Sequence, residues 1–155
     1  MEAESWLLFF HLTFVAIWVG GNVALQVLGT LVSRERQPEK MRDMAGHFEF
    51  IGMRVFTPSS LLVLVTGVWL VLISDGEWAF SQFWVWSSLV MFAISFGLGL
   101  LYLGPSLGKA KAIWTEEGPS SERAAAIIAR LFLIARIDLV LLLLIVFVMV
   151  MKPFL

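Results

Sequence analysis

Residues 7–32 read LLFFHLTFVAIWVGGNVALQVLGTLV, and no residue in this run carries a formal charge. A helix needs about 20 apolar residues to cross a hydrocarbon core of about 30 Å, so the run is long enough to span a membrane. Polar side chains nevertheless interrupt it at His11, Asn22 and Gln26, and a tryptophan, Trp18, lies near its middle. The stretch therefore predicts a membrane-spanning helix with a polar face inside the bilayer.

The composition of the whole chain also predicts an integral membrane protein. Of its 155 residues, 59% are hydrophobic and 15% are charged, whereas about half of a typical soluble domain is apolar. The net charge of −1 argues against a nucleic-acid partner, because such a partner requires a dense basic face. The chain contains no cysteine, which excludes disulfides, thiolate metal sites and cysteine nucleophiles.

Apolar runs predict four membrane-spanning helices in a single domain that covers residues 1–155. The predicted spans are about residues 6–33, 46–74, 79–108 and 124–151. Glycine and proline mark the short connections, so consecutive helices are expected to be antiparallel neighbours. The predicted fold class is an all-α, integral membrane, antiparallel four-helix bundle.

The basic residues predict the orientation of this bundle. Ten of the eleven fall on or beside the first and third connections, namely Arg34, Arg36, Lys40, Arg42, Arg54, Lys109, Lys111, Arg123, Arg130 and Arg136. Because cytoplasmic loops are rich in lysine and arginine, we expect this side to be cytoplasmic and both termini to be periplasmic, in a bacterial inner membrane. Trp6, Trp78, Trp84 and Trp86 fit an aromatic belt at the opposite interface.

The polar residues of the first span recur along one helix face. Steps of three and four residues join His11, Val15, Trp18, Asn22, Gln26 and Gly29. We expect this stripe to face protein rather than lipid. Because an ionisable group is costly inside a membrane, His11 is a candidate ligand for a transition metal or a haem iron. The alternative is a non-catalytic scaffold subunit, in which the stripe only specifies helix pairing.

The second histidine, His47, is predicted to lie at the opposite end of the bundle. Along the first span, about 33 Å of helix rise separates His11 from the end of the bundle where His47 is expected. The two histidines therefore cannot hold one haem within a monomer. His47 is therefore expected to have an interfacial or structural role. Near it, Arg54 is predicted to form an ion pair with Asp138, because an unpaired charge at this depth is expensive; Arg136 is the competing partner.

Two stretches resemble the first two spans of CopD-type copper-resistance proteins and HemJ-type protoporphyrinogen oxidases. They are HLTFVAIWVGGNVAL, residues 11–25, and RVFTPSSLLVLVTGVWLVL, residues 54–72. The matching positions are Trp18, Gly20, Gly21, Arg54, Pro58, Thr66 and Gly67. The resemblance implies a bundle that binds haem b through the first-span histidine, here His11. Those oxidases have a third-span lysine where this chain has Ser87 and Ser88. This difference argues against porphyrinogen oxidation but does not affect iron ligation by His11.

The sequence thus predicts a b-type haem protein with a redox role, either electron transfer or oxidation of a porphyrin-like or other small substrate. It would be a haem-dependent oxidoreductase in the second case. His11 is the predicted iron ligand. Trp18 is expected beside the ring, Asn22 near a propionate or a water molecule, and Arg54 in the cytoplasmic half of the bundle.

A second iron ligand and the identity of the metal are left open by the sequence. Met91 and Met149 are the candidates for the second ligand, unless a homodimer places two copies of His11 on one haem. The alternative function is copper uptake or handling, for which His11 with Met91, Met149 and Met151 would form a soft ligand set suited to Cu(I).

Overall fold

The computed structural model describes residues 2–35 and 37–153, and four long helices make up most of this part of the chain. Helix α1 covers residues 2–34, α2 covers Pro38–Leu72, α3 covers Phe83–Glu117 and α4 covers Glu122–Met151. All four are long and apolar enough to cross a membrane. The predicted fold class, an all-α membrane bundle, is confirmed. Arg36, one of the basic residues of the first connection, lies outside the described residues.

Consecutive helices pack side by side. The first half of α1 contacts the second half of α2, and the first part of α2 contacts the last part of α3. Helix α3 contacts α4 along its length, and α4 also contacts the second half of α1. We call the end of the bundle with the α1–α2 and α3–α4 links the basic end. The other end, which holds both chain termini and the α2–α3 link, is called the terminal end.

Buried apolar side chains form three layers along the bundle. The layer at the basic end contains Ala45, Leu107, Ala110, Trp114, Ala124, Ile128 and Leu131. The middle layer contains Trp18, Val63, Phe92 and Leu142, and the layer at the terminal end contains Trp84, Val85 and Val148. Large apolar side chains such as Leu101 and Val150 are exposed on the outside, as expected for helices whose outer faces contact lipid.

Three of the helices contain a π-helical turn. These turns are Ala16–Gly20 in α1, Gly52–Phe56 in α2 and Gly99–Leu103 in α3. A π turn holds one more residue than an α turn and so changes which side chains face the bundle interior beyond it; such turns are frequent at functional sites. The α-helical spacing assumed for α1 and α2 is therefore interrupted near Trp18 and Arg54.

Helices α2 and α3 extend beyond the apolar spans at the basic end. Helix α2 begins at Pro38, where proline is favoured because the first helical residue needs no N–H bond. Helix α3 ends at Glu117, before Gly118, whose φ of 87° lies in the left-handed region. An ion pair between Lys111 and Glu49, with a distance of 2.5 Å between Nζ and Oε2, joins the two extensions. The polar residues of these two extensions therefore lie beyond the apolar part of the bundle.

Candidate functional site

A cavity of about 290 Å³ lies in the terminal half of the bundle, and we call it the histidine cavity. Its polar lining residues are His11, Ser88 and Lys152, and most of the remaining wall is aliphatic or aromatic. Helices α1, α2, α3 and α4 all contribute to this wall. The cavity therefore combines an imidazole with an apolar volume inside the bundle.

The imidazole of His11 is held by a threonine on the neighbouring helix. His11 Nδ1 lies 3.0 Å from Thr66 Oγ1, and the Thr66 hydroxyl donates its hydrogen to the Leu62 carbonyl at 2.6 Å. Since a hydroxyl has one hydrogen, Thr66 accepts from His11, and Nδ1 carries the imidazole hydrogen. In this tautomer the free lone pair of the neutral ring is on Nε2.

Close helix packing places His11 against this threonine. A Cβ atom added at Gly67 would lie 2.9 Å from His11 Cε1, a distance that real side chains do not tolerate. The backbone carbonyl of Val63 also lies beside the imidazole. The Thr66–Gly67 pair thus supplies the hydrogen-bond acceptor and the space for the ring. A histidine that binds a metal usually donates its second ring N–H to an oxygen in this way.

Two further groups of the histidine cavity are relevant to ligand binding. Met149 lines the cavity, whereas Met91 packs in the terminal layer and is not part of the cavity wall. Lys152 Nζ lies 4.5 Å from the ring centroid of Trp78 and 5.1 Å from that of Trp84, which places the ammonium over two aromatic rings. The cavity thus contains a soft sulfur and, at the terminal end of the bundle, a cation.

The structure brings together only two of the four residues predicted to bind the cofactor. His11 and Trp18 line the histidine cavity. Trp18 is buried and packs edge-to-face on Phe92, with 5.4 Å between the ring centroids. Asn22 lies beyond this pair, where its Nδ2 donates to the Trp18 carbonyl at 2.9 Å. Arg54 is exposed in the π turn of α2 and is not part of the histidine cavity wall.

The prediction that the first-span stripe faces protein is confirmed. All six of its residues are buried or half-buried. Gly29 packs against Phe132 so tightly that an added Cβ would lie 2.3 Å from the ring, and the off-stripe Gly21 similarly contacts Phe56. Gly20, in contrast, has no neighbour within 4 Å of such an atom.

A second cavity, of about 400 Å³, lies in the basic half of the bundle, and we call it the aspartate cavity. Asp138 lines it and is only 6% exposed. The predicted Arg54–Asp138 ion pair is wrong, since Asp138 forms no ion pair with any described residue and Asp138 Oδ1 has no hydrogen-bond partner there. Arg54 instead projects from the outer surface of α2, in the π turn that interrupts the α-helical spacing.

The second histidine lies apart from both cavities. His47 is exposed in the extension of α2, with Nδ1 at 2.8 Å from the Asp43 carbonyl. Among the described residues, no group of three or more histidine, cysteine, aspartate or glutamate side chains is placed to hold a metal ion. A metal site in this part of the chain would therefore depend on few protein ligands.

Residues 5–153 match the model of a family described as a predicted integral membrane protein, DUF2269. The chain belongs to the DUF2269 family. No curated protein and no solved structure matches the sequence. Membership of the DUF2269 family establishes an integral membrane protein with four apolar helices. The resemblance to CopD-type and HemJ-type proteins stays a prediction from the sequence.

Proposed function

We propose that this DUF2269 protein binds a b-type haem in the histidine cavity and has a redox role in the membrane. His11 Nε2 would be the protein ligand to the iron. The observation that carries the proposal is the hydrogen-bond chain from His11 Nδ1 through Thr66 to the Leu62 carbonyl. This chain leaves the lone pair of Nε2 available and holds the ring in one orientation.

The residues of the histidine cavity fit a haem in three respects. Its apolar wall suits the faces of a porphyrin, Met149 offers a thioether of the kind that ligates iron together with histidine, and Lys152 offers an ammonium to a propionate. The volume of about 290 Å³ lies just below the usual range of about 300–1,000 Å³ for small-molecule sites. A porphyrin would thus have part of its edge in the lipid between the helices.

The resemblance to HemJ-type and CopD-type proteins supports the same proposal. Two of the residues that carry it, Thr66 and Gly67, are those that contact His11. Ser88, which occupies part of the place of the third-span lysine, lines the histidine cavity. A serine hydroxyl does not provide the basic amine of that lysine, so electron transfer is favoured over porphyrinogen oxidation.

Bound haem supplies one-electron redox chemistry, and the protein supplies the environment for it. Thr66 would orient the imidazole towards the haem, and the apolar wall of the cavity would exclude water from the site. The orientation of the bundle belongs to the proposal as well. We infer that the basic end faces the cytoplasm of a bacterial cell and that the histidine cavity lies in the periplasmic half of the inner membrane.

Absorption spectroscopy of the detergent-purified protein tests the proposal. We expect a Soret band in the wild-type protein, its loss in His11→Ala, and its retention in His47→Ala, which changes the histidine outside both cavities. A colourless wild-type protein that retains stoichiometric copper would favour the copper-handling alternative, for which His11 and Met149 in one cavity form a soft pair. If the purified protein binds neither haem nor copper, the result would favour the non-catalytic scaffold subunit.

A further inference from the structure

The aspartate cavity contains buried oxygen atoms that no protein group satisfies. Asp138 is 6% exposed and Ser95 is 2% exposed, and both line the cavity together with Gln26. Asp138 Oδ1, Ser95 Oγ and Gln26 Oε1 have no hydrogen-bond partner in the described part of the chain. The Ser95 hydroxyl lies beside the Asp138 carboxyl, but the pair does not meet hydrogen-bond geometry. Buried polar groups without partners are rare and call for a specific explanation.

The ionisable side chains around the cavity are acidic. The ionisable residues of its wall are Glu49 and Asp138, and no lysine or arginine is among the lining residues. Glu49 is already paired with Lys111 outside the cavity. Asp138 is therefore the one lining carboxyl group without a counter-charge among the described residues. Carboxyl groups inside a membrane usually pair with a cation or mark the path of a substrate or an ion.

Aromatic rings surround these oxygen atoms. The aromatic lining residues are Trp18, Phe48, Phe56, Phe96 and Phe132. The negative face of an aromatic ring attracts organic cations, most strongly away from water. The volume of about 400 Å³ lies within the usual range of about 300–1,000 Å³ for small-molecule sites. The cavity thus joins a carboxyl group and neutral oxygen atoms with an aromatic wall.

We propose that the aspartate cavity is a binding site for a small organic ammonium ion with an apolar body. A primary ammonium group has three N–H donors, and the cavity offers three oxygen atoms without partners. The aromatic wall would hold the apolar body. A metal ion is disfavoured, because most of the wall is apolar and only one of its carboxyl groups is unpaired. This site is separate from the histidine cavity and does not depend on haem.

The three π turns support this assignment. Residues of each turn line the aspartate cavity, among them Trp18, Gly52 and Gly99. Because the backbone of a helix inside lipid must satisfy its polar groups within the protein, a π turn deforms the helix and still keeps hydrogen bonds. Three such turns around one cavity are consistent with a built site rather than a packing defect.

Isothermal titration calorimetry with 2-phenylethylammonium chloride as the probe tests the proposal on the detergent-solubilised full chain. We expect saturable binding to the wild-type protein and at least tenfold weaker binding to Asp138→Asn, which removes the charge without changing the shape. The matched control is Asp75→Asn, the same change at an exposed position of the terminal end, which should alter the affinity less than twofold. Neutral 2-phenylethanol should bind at least tenfold more weakly than the ammonium probe.

Two further variants keep the test decisive if Asp138→Asn does not fold. Ser95→Ala and Gln26→Leu each remove one unpartnered oxygen atom, and each should weaken binding about threefold, which corresponds to one modest hydrogen bond. His11→Ala should leave binding unchanged, so failure of the haem proposal would not affect this result. Equal binding of the alcohol and the ammonium, unchanged affinity in the cavity variants, or no saturable binding to the wild type would overturn the proposal.

Discussion

His11 and Thr66 lie 55 positions apart in the sequence and are joined by a hydrogen bond of 3.0 Å across the α1–α2 interface. This bond explains how a membrane helix accommodates a histidine, because the neighbouring helix supplies a hydrogen-bond partner to one ring nitrogen. It also links two separate parts of the sequence, the polar stripe of α1 and the Thr-Gly pair of α2, in one arrangement.

Replacing the acceptor of this bond should weaken haem binding. Thr66→Val preserves the shape of the side chain and removes the hydroxyl, so His11 Nδ1 loses its hydrogen-bond partner. Loss of such an outer partner typically lowers metal affinity about 10- to 100-fold, and haem titration followed at the Soret band would measure the change.

Thr13→Val is the matched control for this experiment. Among the described residues Thr13 bonds only the Phe9 carbonyl of its own helix, at 2.8 Å. We therefore expect the haem affinity of Thr13→Val to equal that of the wild type. Equal affinity in Thr66→Val as well would mean that His11 does not act through this bond.

A methyl group on Gly67 should push the imidazole out of place. In Gly67→Ala the new Cβ would lie 2.9 Å from His11 Cε1, and overpacking of this kind typically costs about 1–3 kcal/mol. Thermal unfolding in detergent should show a lower midpoint, together with reduced haem content. Gly97→Ala adds the same group where no atom lies within 4 Å and should leave both quantities unchanged or slightly raise the midpoint. Equal destabilisation by both changes would contradict the packing argument.

If haem occupies the histidine cavity, we expect the sulfur of Met149 to supply a second protein ligand to its iron. Met149→Leu keeps a similar side-chain volume and removes the thioether from the histidine cavity, so the optical spectrum should change from six-coordinate low-spin to five-coordinate high-spin iron. Met91→Leu, outside the cavity wall, should retain the wild-type spectrum. If both variants keep the low-spin spectrum, the second ligand comes from another group or another chain.

The absence of native cysteine makes the orientation directly testable. Ser81→Cys introduces an exposed thiol in the α2–α3 link, and Ser120→Cys introduces one in the α3–α4 link. A membrane-impermeant maleimide should label Ser81→Cys in intact bacterial cells and Ser120→Cys only after permeabilisation. The reverse pattern would place the basic end outside.

The four membrane helices could be predicted from the sequence because hydropathy depends on composition and not on the details of packing. The inward face of α1 could also be predicted, since its polar residues are spaced at helical intervals. The lack of an ion-pair partner for Asp138 among the described residues could not be predicted. Arg54 was predicted to pair with Asp138 because both residues lie at a similar depth near the basic end. Depth does not determine the direction of a side chain, and Arg54 lies exposed in the π turn Gly52–Phe56.

The contact between His11 and Thr66 was likewise beyond sequence reasoning, although both residues were singled out. Hydropathy and charge give the order and depth of the helices but not the rotation of one helix against another. Gly67 was the available signal, because a glycine inside an apolar helix often marks a close approach of two helices. The aspartate cavity offered a weaker signal, namely Gln26, Ser95 and Asp138 in three different spans.

Trp18 and Phe92 stand between the two cavities, and the layer they form with Val63 and Leu142 contains no charged side chain. Trp18 belongs to the wall of both cavities, so this apolar layer is the shared partition between the histidine cavity and the aspartate cavity.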